Sequence, residues 1–333
     1  MQYRRLGQSN LKVSALCLGT MMFADQTDRA EAQAIVADAR DHGVNYIDTA
    51  DVYSLGGAEQ MVGELLKGQR HEWVLATKLG NAMSKRINDR EFSRAWMLRA
   101  LDASLQRLQT DHVDILYLHR DVNGMNLEEP LRALEAMLQA GKIRYWGVSN
   151  YRGWRIAEMV RIADRLGMPG PVVCQPYYNL LNRMPEVEVL PACDYYGIGV
   201  TPYSPVARGV LTGKYAPGQP PVAGSRAARG DKRIAETEFR EESLQIAQQL
   251  KAHAQDKGVT LAQFATAWVL AHRSVSSVIA GPRTLQQWRD YLPALEYAVT
   301  TEDEALVDSL VRPGHPSTPG FNDPSHPLYP RRA

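Results

Sequence analysis

The 333-residue sequence is poor in cysteine, in phenylalanine and in net charge. Its three cysteines, Cys17, Cys174 and Cys193, are odd in number and form no C-x-x-C pair. That argues against a disulfide framework and points to a reduced, cytoplasmic setting, which the absence of any Asn-x-Ser/Thr sequon does not contradict. The cysteines are expected to pack as small buried apolar residues. Lys plus Arg number 38 and Asp plus Glu 37, a net charge of +1, so the basic excess of a nucleic-acid partner is missing. The longest apolar runs, such as Val113–Leu118, have strand length and leave nothing to span a membrane. Met1–Leu6 lacks the apolar core of a signal peptide. The eight histidines form neither H-x-x-x-H nor H-E-x-x-H, so no metal is expected.

What the chain does have is alternation. Short β-type runs at 16–18, 45–47, 73–77, 113–118, 143–148, 172–174, 199–202 and 277–280 are separated by amphipathic stretches such as 29–42, 92–108, 127–140 and 154–166. In 127–140 the apolar residues Leu127, Leu131, Leu134 and Leu138 recur at helical spacing. Strands alternating with helices predict a parallel sheet with right-handed crossovers, and eight of them favour a closed (β/α)₈ TIM barrel. Residues 1–15 predict an antiparallel hairpin ahead of the barrel, capping its bottom. Residues 216–233, rich in Pro, Gly, Ala and Arg, read as a long loop after strand seven. The tail from Pro313 to Ala333 carries six prolines and reads as irregular. Because the alternation continues past the loop and stops before the tail, residues 1–333 read as a single domain. Segments this long and irregular are expected to border the functional site.

Active sites of such barrels lie at the carboxyl ends of the strands. There the sequence places Asp48 and Tyr53 after strand two, Lys78 after strand three and His119 after strand four. Ser149-Asn150, Gln175, Tyr203-Ser204 and Gly281-Pro282-Arg283 follow strands five to eight. Taken singly, an Asp after a strand is commonly a helix cap, a Lys a solvated charge, a Tyr packing and a His a satisfied polar group. Together they suit carbonyl reduction. Hydride attack puts charge on the carbonyl oxygen, which then needs a proton. A tyrosine, with a pKa near ~10, can supply it if a cation stabilises the phenolate. Lys78 can be that cation, Asp48 can hold it charged and in place, and His119 can orient the carbonyl. Met21, Met22, Phe23, Val52 and Tyr53 suggest an apolar mouth for a small aldehyde or ketone.

The segments Asn45–Tyr53, Ala76–Lys78, Leu118–Arg120, Gly147–Asn150, Gln175–Asn179, Tyr203–Pro205 and Gly209–Tyr215 together resemble the signatures of the aldo-keto reductase superfamily. The resemblance runs from about Met1 to Leu310 and is nearest to the bacterial branch that includes the potassium-channel β-subunits. It implies Tyr53 as proton donor, Lys78 and Asp48 as its tuners and His119 as orienter, with substrate meeting Met22, Tyr53 and His119. The cofactor it implies is NADPH/NADP+, with NADH a weaker alternative. Gly19, Thr20, Met21 and Asp48 would border that cofactor. Ser149, Asn150 and Gln175 would hold its carboxamide and Tyr203 would stack on its ring. Ser204, Pro205, Val206, Gly209, Leu211 and Lys214 would lie along the pyrophosphate, and Gly281, Arg283 and Gln287 at the adenosine end. Two departures stand out. Tyr291 occupies the position of the family's usual Asn, and Asp121 follows His119-Arg120 where relatives often have Pro.

Two nucleotide motifs fail. Gly197-Ile198-Gly199 has Pro202 where a third glycine belongs, and the P-loop echo at 209–215 has Tyr215 where a magnesium-binding hydroxyl is needed. The expected function is therefore NADPH-dependent reduction of an aldehyde or ketone without a Rossmann domain. Two alternatives stay open: an NADPH-binding regulatory or redox-sensing subunit with little turnover, and a barrel enzyme using Lys78 as a Schiff base. The second is opposed by Asp48, which should keep Lys78 protonated. An assembly of like chains is also left open.

Overall fold

A computed structural model describes residues 1–326. Prolines 327 and 330 of the tail lie outside the described residues. An antiparallel hairpin of β1 (Tyr3–Arg5) and β2 (Lys12–Ser14) comes first. The barrel strands follow as β3 (Leu16–Gly19), β4 (Tyr46–Asp48), β5 (Val74–Leu79) and β6 (Val113–Leu118). They continue as β7 (Ile143–Ser149), β8 (Val173–Gln175), β9 (Gly199–Val200) and β10 (Val278–Ala280). All eight pair in parallel in the order β10-β3-β4-β5-β6-β7-β8-β9. The remaining edge is closed by backbone bonds: Val200 N–H to the Ser274 carbonyl (3.1 Å), Ser276 N–H to the Val200 carbonyl (2.8 Å) and Ile279 N–H to the Pro202 carbonyl (3.0 Å). The eight strands anticipated from alternation are thus the eight of a (β/α)₈ barrel.

Helices lie between the strands, among them α1 (Arg29–Asp41), α2 (Gly57–Leu65), α3 (Arg94–Leu108), α4 (Glu128–Gln139) and α5 (Gly153–Leu166). Their starts follow from local chemistry: the Asp28 carboxylate accepts from Glu31 N–H at the head of α1, and the Ser93 hydroxyl from Trp96 N–H at the head of α3. The apolar stripe of α4 buries Leu131 and Leu134 completely against the barrel wall. Two apolar layers result. One lies between strands and helices; the other fills the barrel interior with Cys17, Tyr46, Val74, Ala76, Ile115, Tyr117, Val173 and Ile279. Leu6 and Val13 of the hairpin belong to the interior layer, so the hairpin plugs the amino end of the barrel. The turn is held close: a Cβ on Gly7, whose φ is +58°, would meet the Gly197 carbonyl oxygen at 2.5 Å. The three cysteines are buried free thiols.

The two irregular segments cross the carboxyl end. The loop read as 216–233 stays irregular only to Asp231. Its last two residues open α6 (Lys232–Thr237), because the Asp231 carboxylate accepts from Ile234 N–H and caps the helix. The tail is pinned by Ser317 N–H to the Leu181 carbonyl (2.8 Å) and by the Arg240 guanidinium, 3.8 Å over the Phe321 ring. Arg233 then grips Asp323 through two bonds, 2.9 and 2.6 Å, joining loop to tail above the barrel. No helix among the described residues is long and apolar enough to cross a membrane.

Candidate active site

The pleat of the strands places the site. Side chains two residues apart point the same way, and the interior layer fixes which way is inward. Inward Cys17, Tyr46, Ala76, Tyr117 and Val173 carry the count to Gly19, Asp48, Lys78, His119 and Gln175, and Ile279 carries it to Gly281. Tyr145 packs against the same layer, and two steps of two from it lead through Gly147 to Ser149. Gly147 keeps that interior passable, since a Cβ there would meet the Val173 carbonyl at 2.5 Å and the Tyr117 ring at 2.9 Å. The top layer of the barrel interior is therefore polar, where the layer beneath it is apolar apart from a Tyr46–Tyr117 hydroxyl pair at 2.7 Å.

Lys78 is fully buried, and its ammonium donates to the Asp48 carboxylate (2.5 Å), to the Thr49 carbonyl (2.8 Å) and to the Tyr53 hydroxyl (3.2 Å). An ammonium has three donors and no acceptor, so Lys78 is saturated and Tyr53 is the acceptor of that bond. The phenolic proton of Tyr53 is left free for another partner. Asp48 also accepts from the Gln175 amide at 3.0 Å. Tyr53, half-buried, meets the His119 ring edge-on at 6.0 Å between centroids.

Burial dominates the electrostatics. It raises the Tyr53 pKa above its ordinary value, and the Lys78 charge pulls the other way without prevailing. In the free site, burial of the phenol thus outweighs the nearby cation. Burial also raises Asp48 against the pull of Lys78. For Lys78 burial alone would lower the pKa, but the Asp48 charge and the bonds to Asp48 and Tyr53 leave it above the usual value. His119 is held well below the usual imidazole range by burial and by the charge of Lys78, so it is neutral at pH 7. Its Nδ1 is buried without a hydrogen-bond partner among the described residues.

These groups open onto a cavity of about 610 Å³. Of the anticipated residues, Gly19, Met21, Met22, Asp48, Tyr53, His119, Ser149, Asn150, Gln175 and Tyr203 line it. So do Ser204, Pro205, Val206, Gly209, Lys214, Gly281, Arg283 and Gln287. Three others do not. Lys78 sits behind Tyr53 and Asp48. Thr20 is buried, its hydroxyl spent on the Asp48 carbonyl (3.0 Å), and Leu211 is packed in the outer core. The apolar mouth is also revised: Phe23 is wholly buried in the core, and Val52 is not among the lining residues.

Asn150 takes a left-handed φ of +63°, which Asn tolerates better than most residues, and turns the chain at the end of β7. Its amide donates to the His119 carbonyl (3.1 Å) and accepts from the Tyr203 hydroxyl (2.8 Å), tying strands four, five and seven together. Tyr203 is backed by the Tyr177 ring, stacked at 5.6 Å.

Asn81, Arg120, Arg208 and Tyr291, not assigned to the site beforehand, also line the cavity, as do Arg226 and Arg229 of the loop and Ser325 and His326 of the tail, the two segments expected to border it. Burial and the charges of Arg283, Arg226 and Arg229 lower the Lys214 pKa, so these four cations share one end. Only Arg226 among them has a carboxylate partner among the described residues, Asp231 at 3.5 Å. The signal for Arg226 and Arg229 was the arginine content of the loop. Nothing local says which way they face.

Behind Lys78, Asp51 is wholly buried and neither of its carboxyl oxygens has a hydrogen-bond partner among the described residues. Burial and the Glu59 charge push its pKa up to about 8, the charges of Arg107 and Lys78 offsetting them only in part. Between the unfolded value of ~3.9 and about 8, the native state holds a proton that the unfolded state lacks, so this group's contribution falls as pH rises through that window. Asp51→Asn is expected to raise the unfolding free energy by roughly 2–5 kcal/mol at pH 8 relative to its effect at pH 4. Denaturant melts of both proteins at the two pH values check this; a pH-independent difference refutes it.

Comparison with known proteins agrees with this architecture. A rice (Oryza sativa subsp. japonica) chain described as a probable voltage-gated potassium channel subunit beta is 39% identical over 320 residues, covering 93% of this chain and 97% of its own. An Arabidopsis thaliana chain of the same description shows the same identity and coverage. The uncharacterized oxidoreductase YrpG of Bacillus subtilis (strain 168) is 36% identical over 322 residues, covering 93% of this chain and 96% of its own. Residues 15–312 match the aldo/keto reductase family, which spans the barrel from β3 to just past its last helix. The chain belongs to the aldo/keto reductase family of oxidoreductases.

Proposed function

We propose that this protein is an NADPH-dependent carbonyl reductase that converts an aldehyde or ketone to the alcohol. The observation that carries this reading is the saturated Lys78 ammonium, which leaves the Tyr53 proton free at the cavity beside a neutral His119. A bound nicotinamide cofactor would supply the hydride. Its carboxamide suits Ser149, Asn150 and Gln175, and its phosphates suit the end of the cavity where Lys214, Arg229 and Arg283 stand without carboxylate partners among the described residues. An anion there relieves the mutual repulsion of those cations.

The residues divide the work as follows. His119, neutral and adjacent to Tyr53, donates its single ring N–H in a hydrogen bond that orients the carbonyl oxygen; it is no general acid at neutral pH because it lacks the second, imidazolium proton. Tyr53 stays protonated in the resting site, as burial dictates, and gives its proton to the oxygen as negative charge develops there. An alkoxide is far more basic than a phenolate, so the transfer runs downhill. Lys78 then stabilises the phenolate from 3.2 Å, and Asp48 keeps Lys78 charged. A Schiff-base role for Lys78 is disfavoured by the same raised pKa. One hydride and one proton are consumed for each C=O converted to CH–OH.

Steady oxidation of NADPH by the purified protein across a set of simple aldehydes and ketones tests the reading. Tight NADPH binding without turnover of any of them would support the second reading, a cofactor-binding regulatory subunit. That alternative draws on the descriptions of the rice and Arabidopsis relatives.

A further inference from the structure

The cavity has two cationic ends, and only one is matched to the cofactor. Lys214, Arg226, Arg229 and Arg283 cluster at the first. At the other, next to the carbonyl-orienting His119, stands Arg120. Its charge acts on His119 and also on His326, which the tail brings to the same wall. Asp121 is the adjacent acid in sequence, but it is bound to Arg155 at 2.8 Å, both side chains nearly buried. Two other cations lie near His326: Arg233 is taken by Asp323 and by Glu236 at 2.9 Å, and Arg152 donates to the His326 carbonyl at 3.5 Å. Arg120 is exposed at the rim of the cavity, which it helps to line, and has no ion pair or hydrogen bond among the described residues. His326 adds no charge at neutral pH, since burial holds it down to about 4.

We infer that Arg120 recognises an acidic group on the substrate, so that the preferred carbonyl compound carries a carboxylate or a phosphate. This rests on the carbonyl-reductase reading above and deepens it. The physical warrant is that a guanidinium lining a cavity, with its nearest acid already committed, gains most from an oxyanion that arrives with the ligand. The departure at Asp121 matters in this way: by engaging Arg155 it holds the wall in place without neutralising its neighbour.

Matched pairs of substrates test it: 4-carboxybenzaldehyde against benzaldehyde, and glycolaldehyde phosphate against glycolaldehyde. Wild-type kcat/KM is expected to favour the charged member of at least one pair by about 10-fold or more. A preference in the first pair alone identifies a carboxylate, in the second alone a phosphate. Arg120→Gln should bring that ratio close to one, Arg120→Lys should retain part of it, and Arg120→Glu should invert it. Thermal melts of each variant report whether it is folded. Turnover of the neutral aldehydes with no charge preference in the wild type, or a preference that survives Arg120→Gln, overturns the inference and leaves carbonyl reduction standing. Failure to reduce any of the four removes both.

Discussion

Tyr53→Phe is expected to lower kcat for aldehyde reduction by at least ~10²-fold while leaving NADPH affinity nearly unchanged. The phenyl ring keeps the packing against His119 and removes only the hydroxyl, so the loss reports the missing proton donor. Lys78→Met should have an effect of similar size by a different route. It keeps the length of the side chain but withdraws the charge that stabilises the phenolate, and leaves Asp48 with only the Gln175 amide as a side-chain hydrogen-bond partner among the described residues. Breaking a buried pair typically costs ~3–5 kcal/mol, so this variant should also melt earlier, whereas Tyr53→Phe should not. Single-turnover kinetics with cofactor fluorescence titration separates the two quantities. More than a tenth of wild-type kcat remaining in Tyr53→Phe would show that another group donates the proton.

Arg283→Ala is expected to weaken NADPH binding by ~10–150-fold and to change NADH binding little. The two cofactors differ by a 2′-phosphate that carries close to two negative charges near neutral pH, and a site that prefers NADPH needs a cation there. The Arg283 side chain is available for that role: its guanidinium reaches only the Gln26 side-chain carbonyl, at 3.4 Å, with no carboxylate partner among the described residues. Its backbone is fixed independently, because its N–H donates to Gln287 (2.9 Å) and its carbonyl accepts from Thr27 (3.0 Å). Thr284 caps the following helix (285–291), again without using the guanidinium. Removing the side chain should therefore subtract a charge without moving the loop. Equal loss for NADPH and NADH, read by titration of each against wild type and variant, would show that Arg283 does not distinguish the phosphate.

How much of this was legible beforehand depends on the range of the interactions involved. The strands could be located because a barrel strand is short, apolar and β-branched, and the helices because their apolar residues recur every three or four positions. Asp48, Lys78, His119, Ser149 and Gln175 could be read as one site from the chain alone because each stands at the carboxyl end of a strand; the inward parity that seats them in one layer is visible only in the structure. Local capping chemistry was legible as well, at Thr284. The end of the long loop was misjudged because Asp231 caps a helix that its surroundings of Arg, Gly and Ala do not announce.

Other features were decided only by residues distant in sequence. The sign of the Tyr53 shift depends on how completely the barrel rim and loops exclude water, which no local pattern encodes. Thr20 and Leu211 turn away from the cavity because Asp48 and the outer core claim them. Arg226, Arg229 and the last described tail residues reach the cavity because Arg233 and Asp323, 90 positions apart, clasp each other above it. Arg120 is left unpaired because Asp121 is drawn to Arg155, a partner on a neighbouring helix. The sequence by itself determined the barrel, its family and the set of polar side chains at its centre, since these follow from periodicity and from side chains borne on rigid strands. Only the tertiary structure decided the charge and shape of the cavity walls, because these depend on which ion pairs close across irregular segments and which cations are left over.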